Sequence, residues 1–169
     1  LTTSGNKHVI NGTFDWVYEE ELSLRDGFAW SPDGTRIAYW QIDTSDVPEF
    51  TLVNNTDGLY PRLTTFAYPK VGQQNPAGRV GVVGVGGGET RWLNVPGDPR
   101  QHYLARLAWT PDAKHLLLQQ LNRRQSRNLV LQADPDTGQV TTVLTEQDDA
   151  WVDVHDEWKW LADGRRFTW

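Results

Sequence analysis

The chain has 169 residues, 38% of them hydrophobic and 11% aromatic, enough for one globular domain with a real core. A formal charge of −6 without any Lys/Arg run argues against a nucleic-acid partner, and the absence of cysteine removes disulfides, thiolate metal sites and cysteine nucleophiles. No apolar stretch approaches the roughly 18 residues of a membrane span, and a chain without methionine that stops on "RRFTW", inside a strand-like run, is expected to be a piece of a longer protein.

The first strand-like segment lies around His8 to Asn11. In "DWVYEEEL", Asp15 is placed to cap a short helix over Trp16 to Leu22 that carries Glu19, Glu20 and Glu21. "FAWSPDGTRIAYWQ" (Phe28 to Gln41) reads as a hairpin, with Asp33-Gly34 supplying the positive φ of a tight turn. A proline-rich insertion follows over about residues 46–78, where Pro48, Pro61, Pro69 and Pro76 exclude a helix and confine strands to edges. Strands are expected at Arg79 to Val85 and Glu89 to Val95. The "GVGGGE" between them joins strand to strand, not strand to helix, and so is a hairpin turn and not a phosphate loop. "LAWTPDAKHLLLQQ" (Leu107 to Gln120) is a second hairpin. Strands at Asn128 to Ala133 and Val140 to Glu146 flank the turn "DPDTGQ", and "WKWLADGRRFTW" closes the chain as a third hairpin.

The three hairpins align without gaps on Trp30, Trp109 and Trp160, at intervals of 79 and 51 residues. A period of about 50 is that of a propeller blade, the longer interval being a blade with an insertion. The expected fold is all-β: residues 1–169 as one fragment of a β-propeller, about three four-stranded antiparallel blades plus the short acidic helix. Each anchor tryptophan should pack between neighbouring blades, and open blade edges should favour self-association.

Two clusters could carry chemistry. The three adjacent glutamates allow three readings: a solvated first turn that suits the helix dipole, a grip on a positive group, or a divalent metal site. In "EQDDAWVDVHDEW", His155 stands between Asp153 and Asp156. The pairing suggests a triad fragment or metal pair, but no G-x-S-x-G nucleophile motif occurs, leaving His155 and Asp156 as candidate pocket residues or as part of a plain inter-blade loop. His8, His102 and His115 show no ligand spacing and are expected at the surface or in packing. Asn11-Gly12-Thr13 and Asn54-Asn55-Thr56 are glycosylation acceptors only in a secreting eukaryote.

"NGTFDWVYEEELSLRDGFAWSPDGTRIAYWQIDTSDVPEF" followed by "YPRLTTFAYPKVGQQNP" resembles the N-terminal β-propeller of the dipeptidyl peptidase IV family of serine peptidases, with several motifs in order. The resemblance implies a propeller that caps an α/β-hydrolase domain of the same chain. It implies release of N-terminal dipeptides with proline or alanine second, no cofactor or metal, and an extracytoplasmic, for instance periplasmic, setting. By position, Glu20 and Glu21 would hold the free ammonium of a peptide substrate, while the triad would lie wholly in the hydrolase domain, leaving this chain without catalytic residues and inactive alone. After the "WV" at Trp151-Val152 the sequence departs from the better-known members, so roles for His155 and Asp156 stay open. The competing expectation is a non-enzymatic propeller presenting an interaction surface.

Overall fold

The computed structural model describes residues 1–169. In chain order the elements are β1 (Val9–Asn11), α1 (Trp16–Leu22), β2 (Phe28–Trp30), β3 (Arg36–Asp43), β4 (Glu49–Asn54), β5 (Arg62–Ala67), β6 (Ala77–Gly84), β7 (Arg91–Trp92), β8 (His102–Trp109), β9 (Leu116–Asn122), β10 (Arg127–Ala133), β11 (Val140–Gln147), β12 (Lys159–Trp160) and β13 (Phe167–Thr168). All pairings are antiparallel, and α1 is the one helix of a nearly all-β chain.

The first sheet is built around β3. Along one side β3 pairs with β6 from Arg36↔Gly84 to Asp43↔Ala77, and β6 in turn meets β7. Its other side is shared: β2 takes Ile37 to Tyr39 and β1 takes Gln41 to Asp43. β1 and β2 therefore act as a single blade strand interrupted by residues 12–27, the excursion that contains α1. Trp40 bridges the interruption, its carbonyl accepting from Gly12 N at 2.9 Å and its N–H donating to Gly27 O at 2.9 Å, while Gly27 N donates to Gly12 O at 3.1 Å. A Cβ on Gly27 would stand 2.6 Å from the Gly12 carbonyl carbon, so the neck of the excursion requires glycine.

The second sheet is a simple meander, β8-β9-β10-β11. The buried run "LLLQQL" of β9 contains two glutamines, and each is satisfied: Gln119 Oε1 accepts from Asn128 Nδ2 at 2.9 Å, and Gln120 Nε2 donates to Pro96 O at 2.7 Å. A bulge between Leu104 and Arg106 leaves Ala105 outside the β8–β9 ladder.

Between the two sheets lies one core that includes Tyr18, Trp40, Ile42, Val80, Leu104 and Leu118. Indole hydrogen bonds cross it: Trp40 Nε1 donates to Leu104 O at 2.9 Å and Trp109 Nε1 to Ala29 O at 3.0 Å. Trp109 thus packs against the preceding sheet as expected, with the Arg36 guanidinium 5.1 Å from its ring centre. Trp30 does not: it is 52% exposed, because β2 belongs to the first sheet and residues 1–169 place no earlier sheet against it. Trp160 is partly buried, edge-on to Phe167 at 5.4 Å.

The insertion is a separate ribbon. β4 and β5 pair in register from Glu49↔Ala67 to Asn54↔Arg62 and stand apart from both larger sheets, which is why β3 and β6, far apart in sequence, are neighbours. β12 and β13 pair with each other in a short hairpin of their own. β7 is shorter than the expected Glu89 to Val95, because the Asn94 N–H is taken by Gly138 O at 2.8 Å and Pro96-Gly97 follows.

The three repeated turns share one device. Gly34, Ala113 and Gly164 adopt φ of 69°, 59° and 64°, and Asp33, Asp112 and Asp163 each accept a backbone N–H two residues on. These bonds hold all three aspartates below the ordinary carboxylate range; the largest contribution comes from the Ser31 hydroxyl for Asp33, the Thr110 hydroxyl for Asp112 and the Arg165 N–H for Asp163.

Candidate functional site

Helix α1 is seven residues long and is held by tertiary contacts, since so short a helix is not stable alone. Asp15 caps it, Oδ1 accepting from Tyr18 N at 3.3 Å, and Ser23, at φ 56°, ends it in the left-handed region. Val17, Tyr18 and Leu22 form its buried face. Phe14 stacks on Tyr18 at 5.4 Å and meets Trp40 edge-on at 5.2 Å, and Tyr18 Oη accepts the Leu104 N–H of β8 at 3.2 Å. Burial raises the Tyr18 phenol well above its usual range, so the hydroxyl stays neutral.

Fixing that face leaves Glu19, Glu20 and Glu21 exposed. The three carboxylates thus lie on the solvated side of the helix. The buried acid is Asp15, 8% exposed, whose carboxyl is pushed up by burial and whose Oδ2 has no partner. The glutamates also part company. Successive helix positions differ by about 100°, and Glu21 borders a cleft of about 340 Å³ with Trp16, Lys70, Tyr103 and Arg123, whereas Glu19 faces a different cleft with Lys7, His8 and Glu49. Glu20 lines neither. The Glu21 cleft joins four regions distant in sequence: α1, the end of the insertion, Tyr103 of β8 and the β9–β10 turn.

His155 and Asp156 lie elsewhere. The His155 backbone is clamped by Gln119, whose Oε1 accepts from His155 N at 2.9 Å and whose Nε2 donates to His155 O at 2.5 Å. Its ring lies 2.8 Å from Glu146 Oε2 through Nε2 and packs on Trp169 at 4.4 Å. Asp156 is ion-paired with Arg106, which holds its carboxyl below the usual range. Neither side chain borders the Glu21 cleft. Arg106 was not singled out by sequence reasoning, although a lone cation within the apolar run "HYLARLAW" is a usable signal. Of the remaining histidines, His102 is buried with Nδ1 2.9 Å from Gln120 Nε2, a packing residue.

Residues 1–169 match the family described as the dipeptidyl peptidase IV (DPP IV) N-terminal region. The chain is 33% identical over 174 residues to the inactive dipeptidyl peptidase 10 of Rattus norvegicus, covering 99% of this chain and 22% of that protein. It is 33% identical over 150 residues to dipeptidyl peptidase 4 of Sus scrofa, covering 77% and 18% respectively. The crystal structure of Porphyromonas gingivalis dipeptidyl peptidase 4 superposes with a TM-score of 0.83 at 33% identity, covering 90% of this chain and 22% of that one. The chain thus spans about a fifth of the length of these relatives. The full-length family match and the shared propeller architecture establish that this chain belongs to the dipeptidyl peptidase IV family, as part of its N-terminal region.

Proposed function

We propose that the chain is the substrate-gating propeller portion of a dipeptidyl peptidase IV-like serine peptidase, in which Glu20 and Glu21 bind the N-terminal ammonium of a peptide. The observation that carries this reading is the mounting of α1: one face is locked into the core by Tyr18 while the carboxylates project free, Glu21 beside a cleft. Carboxylates on a fixed backbone recognise an ammonium at a fixed distance from a reacting bond, which is how an enzyme counts two residues from a peptide's end. An N-acylated peptide offers no charge to that site and is discriminated against. The nucleophile, its histidine and its acid would come from an α/β-hydrolase domain of the same chain.

The test uses the full-length parent. Glu20→Gln or Glu21→Gln is expected to lower kcat/KM on a free-amine dipeptide substrate by about tenfold to a thousandfold, equivalent to about 1.4–4 kcal/mol. Free-amine and N-acetylated substrates are compared throughout. Unchanged kinetics on the free amine in both variants would refute the ammonium role.

A second reading is supported by the 33% identity to a relative named inactive: a non-enzymatic propeller that serves as an interaction module. The two readings separate on the parent gene, where a G-x-S-x-G elbow and turnover favour the peptidase.

A further inference from the structure

We propose that Arg106 is a positioning residue for the Glu20–Glu21 helix, an inference that rests on the ammonium-binding reading above. Helix α1 ends with carbonyls that have no intrahelical partner, and its own last turn carries no basic side chain. Arg106, on β8 of the other sheet, supplies what is missing. Its side chain is only 17% exposed, and Nη1 donates to Leu22 O at 2.9 Å and to Ala105 O at 2.6 Å. A guanidinium at this point satisfies a terminal carbonyl and sets a positive charge at the negative end of the helix. The bulge at Leu104/Arg106 falls where this side chain leaves the strand.

On its other edge the same guanidinium donates through Nε to Asp156 Oδ1. The result is a chain of contacts, Asp156 to Arg106 to the Leu22 carbonyl, that ends one peptide unit from Glu21. The segment after β11 is thereby coupled to the helix, although neither His155 nor Asp156 borders the cleft. A planar fork is needed to serve both partners in different directions, which one lysine ammonium does not provide. Asp156 holds Arg106, Arg106 holds the end of α1, and the end of α1 sets the direction of the Glu21 side chain.

The experiment uses the full-length parent, with active sites counted by a covalent serine-directed inhibitor so that misfolded enzyme is excluded. Per active site, Arg106→Gln is expected to raise KM for a free-amine chromogenic dipeptide about tenfold while kcat changes less than about threefold, and Arg106→Lys is expected to recover only part of the loss. In a Glu21→Gln background the effect of Arg106→Gln should shrink to less than about twofold, because the group being positioned is already gone. Impaired Glu21→Gln beside an unchanged Arg106→Gln, or an Arg106→Gln effect that persists in full on the Glu21→Gln background, overturns this inference alone. Wild-type kinetics for both Glu20→Gln and Glu21→Gln, or a parent without turnover, overturns the ammonium reading and this inference together. If Arg106→Gln yields no titratable sites, Asp156→Ala, on an exposed side chain, frees the same guanidinium and is expected to raise KM about threefold; an unchanged KM there overturns the proposal.

Discussion

The phenol oxygen of Tyr18 and the amide nitrogen of Leu104 lie 3.2 Å apart, and this bond, together with that from Arg106 to the Leu22 carbonyl, fastens the acidic helix of the first sheet to the first strand of the second. Tyr18→Phe leaves a buried N–H without a partner and is expected to cost about 1–3 kcal/mol. A Cβ at Gly78 would stand 2.7 Å from the same hydroxyl, with its next neighbours at 3.5 Å. Gly78→Ala should therefore destabilise strongly, and adding Tyr18→Phe should relieve part of that loss, making the pair less damaging than the sum of its members. Denaturant unfolding of the four proteins of this cycle measures the coupling.

Asp15 contributes a cap and carries a penalty. Its folded pKa is raised above the ordinary 3.8, chiefly by burial, so the folded state holds its proton more tightly than the unfolded chain does. Stability therefore falls as pH rises through that raised value, and the cost of the buried charge is fully present at neutral pH. Asp15→Asn keeps an oxygen acceptor for Tyr18 N and removes the charge; it should match or exceed wild type at pH 7 and flatten the acid limb of the stability profile. Asp15→Ala loses the cap and should cost about 0.5–2 kcal/mol. Thermal unfolding across acidic to neutral pH separates the two.

His102 gives a pH dependence of the opposite sign. Burial lowers its pKa below the ordinary 6.5, so on acidification the unfolded chain takes up a proton that the folded protein resists. Its contribution is neutral above about pH 6.5 and becomes destabilising as pH falls from there toward its lowered value. In His102→Gln this part of the slope should vanish, whatever the offset in absolute stability. Unfolding midpoints across mildly acidic pH are the measurement, and an unchanged slope in the variant would be the contrary result.

Trp109→Phe should cost about 1–2 kcal/mol by leaving the Ala29 carbonyl without its indole donor, whereas Trp30→Phe, on a side chain 52% exposed, should change stability by less than about 0.5 kcal/mol. The same unfolding assay distinguishes the two members of the repeat.

What the sequence made legible was local. The Asp-Gly turns, the Asp15 cap and the helix over Trp16 to Leu22 follow from residues within a few positions of one another. Ala113 adopts the same positive φ as Gly34 and Gly164 because the Asp112 and Thr110 side chains rebuild the turn around it, so the weaker copy of the motif still forms. Tertiary pairing was not legible. Nothing in "DWVYEEEL" says that its tyrosine is the buried anchor and its glutamates the exposed face, and nothing near His155 says that Gln119 grips its backbone. Nor does the spacing of Asp156 from Leu22 reveal that one guanidinium on β8 touches both. These relations depend on which blade faces which, a property of strand register and not of any short window.

The pinched neck formed by Gly12, Gly27 and Trp40 makes the acidic helix a cassette. Because both ends of the excursion close onto one residue of β3, its exposed carboxylates, Glu19 to Glu21, can be exchanged without transmitting a shift to the sheet beneath, whereas Phe14, Tyr18 and Leu22 belong to the core. A lineage could recharge or neutralise that exposed face while the core beneath it stayed intact. A change in the charge of this face and a loss of the fold are, at this position, separate evolutionary events.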